Sequence, residues 1–92
     1  MKRITYLVQK AQGENAVGYE VKREDADRAT ETNIIGNEDE TPQEEAIKIA
    51  NKYAQSYFLK RGVLSQVKVR NSENGEFRKE STFAEDPERY EG

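Results

Sequence analysis

The chain has neither histidine nor cysteine among its 92 residues, and each absence closes off chemistry. Without cysteine there is no disulfide to support the fold and no thiol to act as nucleophile or redox partner. Without histidine the side chain that most often moves protons near neutrality is missing. Ser56, Ser65, Ser72 and Ser81 therefore lack an imidazole partner. A Ser–Lys arrangement would need a lysine stripped of its proton by burial, which no lysine in this sequence suggests. The residues read as non-enzymatic, with no cofactor.

Phosphate loops and metal loops are equally absent from the pattern. Gly13, Gly18 and Gly36 stand singly, and none precedes a Lys-Ser or Lys-Thr pair. Glu38-Asp39-Glu40 and Glu44-Glu45 are rich in oxygen, but the calcium-loop spacing with its central glycine is missing, so the run reads as a solvated loop leading into a helix. No stretch is long and apolar enough to suggest a membrane span. Met1 to Tyr6 carries a basic pair followed by a short apolar alternation, unlike a secretory signal, so the expected location is cytoplasmic.

What is present is charge, and it is segregated. Apolar residues make up 34 % of the chain and charged residues 36 %, so a fold must come from patterning rather than from an abundance of apolar side chains. The net charge of −3 conceals sign changes: residues 1–23 carry +3, residues 24–45 carry −8, residues 46–84 carry +5 and residues 85–92 carry −3. Such segregation shapes the surface field and the choice of partner, not the fold.

The patterning is clear in most of the chain. From Arg3 to Lys10 side chains alternate, with Ile4, Tyr6 and Val8 on one face, which predicts a half-buried strand. Gly13-Glu14-Asn15-Ala16 supplies a turn, and Val17, Tyr19 and Val21 resume the alternation. Arg28 to Ile35, rich in threonine and isoleucine, is a third strand. Thr41-Pro42-Gln43-Glu44 is a helix start, a capping box with proline at the first helical position. Ala46, Ile49, Ala50, Tyr53, Ala54, Tyr57 and Phe58 then fall at helical spacing, and Lys60, Arg61 and Gly62 suit a helix end, giving a helix from 42 to 60. Val67 and Val69 begin a fourth strand. Asn74-Gly75 is a hairpin dipeptide, and Phe77, Lys79, Ser81 and Phe83 share one parity of a fifth.

The expected fold is α+β: a two-layer sandwich in which an antiparallel sheet of four to five strands carries one helix on one face, in the order ββ(β)αββ. Residues 1–84 form one domain and 85–92 an acidic, flexible tail. Tyr6, Val8, Tyr19, Val21, Val67, Val69 and Phe77 are expected beneath the helix. Arg3, Thr5, Glu20, Lys22, Lys68, Arg70, Arg78 and Glu80 are expected on the open face. This parity puts Tyr6 and Tyr19 under the helix and leaves the open face without an aromatic platform.

Several short motifs resemble a known family. They are Gly18-Tyr19-Glu20-Val21-Lys22, Arg28-Ala29, Thr41 followed by Glu45-Ala46-Ile47 and Ala50, Val67 and Val69, Asn74-Gly75-Glu76, and Ser81-Thr82-Phe83 with Asp86-Pro87. In this order they resemble the small bacterial and phage proteins of domain-of-unknown-function family 2188, over nearly the whole chain. Tyr19 stands where that pattern often has tryptophan, and the acidic stretch before Thr41 is longer. The resemblance implies a compact domain with no assigned activity and no catalytic residues to carry over.

The resulting expectation is an interaction module with an unknown macromolecular partner, a protein rather than nucleic acid, or a second copy of itself through an open edge at Arg3–Lys10 or Arg28–Ile35. The candidate partner surface is Lys22, Lys68, Arg70 and Arg78. One alternative is a nucleic-acid binder that uses these four cations. Another is an acidic-surface inhibitor that presents residues 24–45 to a nucleic-acid-binding protein. No membrane partner is expected.

Overall fold

The computed structural model describes residues 3–85, and the Asp86-Pro87 motif and most of the acidic tail lie outside them. The helix, α1 (Pro42–Arg61), begins where the sequence places it. Thr41 has extended backbone, its Oγ1 accepts from the Glu44 N–H at 3.1 Å, and the Glu44 carboxylate accepts from the Thr41 N–H at 3.2 Å. Two otherwise unpaired donors at the helix start are thereby satisfied. At the far end Gly62 takes the left-handed conformation and donates its N–H to the Phe58 carbonyl at 2.8 Å. Ala46, Ala50 and Ala54, one turn apart, are fully buried. Their small side chains let the helix lie close on the sheet.

The strands are β1 (Arg3–Lys10), β2 (Tyr19–Arg23), β3 (Glu31–Ile34), β4 (Leu64–Arg70) and β5 (Phe77–Phe83). They form one sheet in the order β3-β2-β1-β4-β5, with α1 on one face, so the α+β two-layer architecture and the ββ(β)αββ order hold. The sheet is mixed rather than wholly antiparallel, because β1 and β4 pair in parallel while the other three pairs are antiparallel. The reason is directional. After two reversals β3 points the same way as β1, α1 returns the chain to the starting end, and β4 must then run alongside β1 in the same sense.

The core is a layer of β-branched side chains under the helix. Val8, Val21, Val67 and Val69 are essentially inaccessible, Tyr6 and Ile34 join them, and Tyr19, Ile49, Tyr53 and Phe83 pack around the rim. Register explains the grouping, since Val8 lies opposite both Val21 and Val69, and Tyr6 opposite Val67. Tyr6 stacks on Tyr53 with ring centroids 6.0 Å apart, and the Tyr53 hydroxyl donates to Glu31 on β3 at 2.9 Å.

Two expectations about strands change. Arg3–Lys10 is the central strand of the sheet, so it offers no edge for self-association; the edges are β3 and β5. β3 has four residues, a register irregularity against β2 and a left-handed Asn33, all of which break the flat ladder an added strand would need. On β5 the register shifts between Val67 and Lys68, where Ser81 and Lys79 are the successive partners and Glu80 is the extra residue. This bulge inverts the faces of β5. Ser81 and Phe83 keep the helix side, whereas Phe77 pairs with Arg70 on the open face and is 43 % exposed. Phe77 is therefore not part of the core.

Candidate macromolecule-binding face

Among the described residues no second helix or sheet packs on the open face, so its chemistry is set by the alternate residues of β2, β1, β4 and β5. One transverse row follows from the register: Lys22 lies opposite Leu7, Leu7 opposite Lys68, and Lys68 opposite Lys79. One pleat further along β4, Arg70 pairs with Phe77, and the guanidinium lies over the phenyl ring at 6.0 Å from its centroid. Stacking of a planar cation on an aromatic face holds both groups in a defined orientation.

Three of the four residues expected on this surface, Lys22, Lys68 and Arg70, are brought together here. Arg78 is not. The bulge puts it in register with Val69, on the helix side of the sheet, where it forms an ion pair with Glu80. Phe77 and Lys79 take the place that parity alone assigns to Arg78 and Glu80.

The open face is divided by charge. Over β2 and β3 a cleft of about 370 Å³ is lined by Gln9, Gln12, Glu20, Lys22, Asp27, Ala29 and Thr32. Glu20 is buried there and fully engaged, accepting from Gln9 Nε2 at 2.7 Å and from the Gln12 N–H at 3.1 Å. The half over β4 and β5 carries Lys68, Arg70, Lys79 and Phe77. At its rim Lys10, Gln12, Arg70 and Ser72 line a cleft of about 200 Å³, two cations and two neutral polar groups. Between the halves Thr5 and Gln66 are buried, and Gln66 Oε1 has no hydrogen-bond partner among the described residues.

Several carboxylates of the acidic segment 24–45 have local partners. Asp25 pairs with Arg23 at 2.9 Å, and that hydrogen bond holds its carboxyl below the ordinary value. Glu31 accepts from Tyr53, Glu40 lies 3.4 Å from Lys48, and Glu44 closes the capping box. In the loop before the helix the Asn37 side chain accepts from the N–H groups of Asp39 and Glu40 at 2.8 and 2.9 Å. Its carboxylates thus lie in the β2–β3 connection, on β3, in the loop before α1 and in the first helical turn.

Burial raises the Tyr6 phenol, the hydrogen bond to Glu31 raises that of Tyr53, and the contact with Asp25 raises Arg23, so each group moves away from neutral pH. Among the described residues no three acidic groups converge to hold a metal ion, and no helix is long and apolar enough to cross a membrane. Comparison with family models, curated proteins and solved structures found no match for this chain.

Proposed function

We propose that this chain is a non-catalytic interaction module that binds an anionic macromolecule through the open face of its sheet. The observation that carries the reading is the transverse row Lys22, Leu7, Lys68 and Lys79 beside the Arg70–Phe77 stack, a cationic surface on a rigid sheet. The strands fix where each cation is rooted, so binding has to order side chains but not backbone, which favours affinity. The resemblance to domain-of-unknown-function family 2188 fits a small module without catalysis, and the lack of histidine and cysteine agrees with it.

The reading is tested by titrating ¹⁵N-labelled protein with heparin as a generic polyanion. Amide shifts should concentrate on Lys22, Lys68, Arg70 and Phe77. Shifts centred instead on the outer face of the helix, at Lys48, Lys52 and Gln55, would overturn it.

A further inference from the structure

We infer that the β4–β5 half of the open face takes single-stranded nucleic acid, with a base stacked at Phe77 and phosphates held by Lys68 and the Lys10–Arg70 cleft. This rests on the open-face reading and narrows its partner to one chemistry. An anionic protein and a nucleic acid both satisfy the charge, but Phe77 favours the second. It is the one aromatic side chain on this face among the described residues, it remains 43 % exposed, and it lies in register with Arg70. Any base presents a π-face to such a ring, and a neighbouring guanidinium both stacks and meets phosphate. The bases of a duplex are already stacked on one another, so a flat sheet with one projecting ring discriminates in favour of the single strand.

The strongest objection is the −8 carried by residues 24–45. Sheet order answers it. Most of them lie on or beside β3 and before the start of α1, and β4 lies three strand positions from β3. At about 4.8 Å per position this is roughly 14 Å, well beyond the screening length of about 8 Å at physiological salt. Glu24 and Asp25 are nearer, since Glu24 continues β2 and donates its N–H to the Thr5 carbonyl of β1 at 2.8 Å, but Asp25 is paired with Arg23 and both stand at the opposite end of the sheet from Arg70. Glu73 and Glu76, both in the β4–β5 turn, are nearer carboxylates, with their N–H groups held by Asn71 Oδ1 at 2.8 Å and Asn74 Oδ1 at 2.9 Å. Against these two stand Lys10, Lys68, Arg70 and Lys79.

The test is fluorescence anisotropy with a labelled oligothymidylate, a duplex of equal length and labelled polyglutamate, at low and physiological salt. The single strand should bind best, with a log–log salt slope of about −2 if three phosphates are neutralised. Phe77→Ala should weaken it roughly tenfold or more, and Lys68→Glu/Arg70→Glu should abolish it. Circular dichroism and the melting midpoint establish that each variant is folded; Phe77→Leu, which keeps apolar bulk without an aromatic face, should behave as Phe77→Ala. No oligonucleotide binding, binding indifferent to Phe77→Ala, or polyglutamate bound as tightly as the single strand would each overturn the assignment. Polyglutamate binding lost on charge reversal would leave the open-face reading standing, and polyanion binding unchanged by that reversal would remove both.

Discussion

Replacing Gly18 by alanine should be among the most damaging single-methyl additions in this protein, and the structure says why. Gly18 stands at the entrance to β2 with φ +69°, and a Cβ there would lie 2.1 Å from the Ile34 carbonyl oxygen and 2.8 Å from its carbon. Both are backbone atoms, so no rotamer change relieves the overlap, and β3 must retreat by well over about 1 Å to reach ordinary contact. That strand has four residues and is paired to β2 at Tyr19 with Ile34 and at Val21 with Glu31. Loss of one or two ladder hydrogen bonds costs about 1 kcal/mol each, and the left-handed backbone adds about 1 kcal/mol for any side chain. Ile34, 6 % exposed, also loses packing. The expected total is about 3 kcal/mol, a large share of the stability of a small domain.

The control is Gly62→Ala. Gly62 has a nearly identical φ of +65°, but its Cβ would meet no atom within 4 Å, so the expected cost is the left-handed penalty alone, about 1 kcal/mol. In a domain of this size 1 kcal/mol moves the melting midpoint by roughly 4 to 8 °C. Gly18→Ala should therefore melt on the order of 10 °C below Gly62→Ala by circular dichroism, with urea midpoints in the same order. Equal midpoints would refute the claim that the approach of β3 to Gly18 is a tight constraint.

Two further outcomes follow from the helix start and the two raised phenols. Thr41→Ala should cost about 1 kcal/mol by removing the acceptor for the Glu44 N–H, and Thr41→Ser should restore most of it, as read from urea unfolding. Tyr6 and Tyr53 have phenols raised above the ordinary 10.0, by burial and by Glu31 respectively. Because the folded values exceed the unfolded ones, their contribution is complete below pH 10 and lost as pH rises through the raised values, so stability should fall on the alkaline side. Tyr53→Phe should make that decline shallower while leaving no new pH dependence between neutrality and pH 10, as followed by unfolding at stepped pH.

Where local chemistry decides structure, the chain is readable without coordinates. The capping box at Thr41 and Glu44, the glycine stop at Gly62 and the seven-residue stripe of α1 each depend on contacts within a few positions, and the helix occupies the expected span with one added residue at its end. The two central strands are legible for a related reason: Tyr6 and Val8, and Val67 and Val69, recur at every second position and mark the face that meets the helix, although Thr5 and Gln66 on the opposite face are buried as well, which the pattern does not announce. The third strand is shorter than Arg28–Ile35, running from Glu31 to Ile34, because Arg28, Ala29 and Thr30 still belong to the bend that brings the chain back from β2. Parallel pairing of β1 with β4 is a property of the path of the whole chain and leaves no mark in either strand.

The open face shows where pattern reading stops, and it is the part that bears on function. Phe77, Lys79, Ser81 and Phe83 keep one parity through seven residues, and an unbroken strand would put both phenylalanines under the helix. The helix side of the sheet is already closed by Val67, Val69 and the three alanines of α1, all essentially inaccessible. A bulge at Glu80 satisfies both halves of β5, keeping Ser81 and Phe83 with Val67 and Ser65 while releasing Phe77 and Lys79 to pair with Arg70 and Lys68. Polar and charged residues at 78–80 tolerate the unpaired position, so no turn residue, glycine or proline signals it. One inserted residue thus exchanges an arginine for an aromatic ring and a lysine on the cationic face, and it converts a surface with charge alone into one that can also stack.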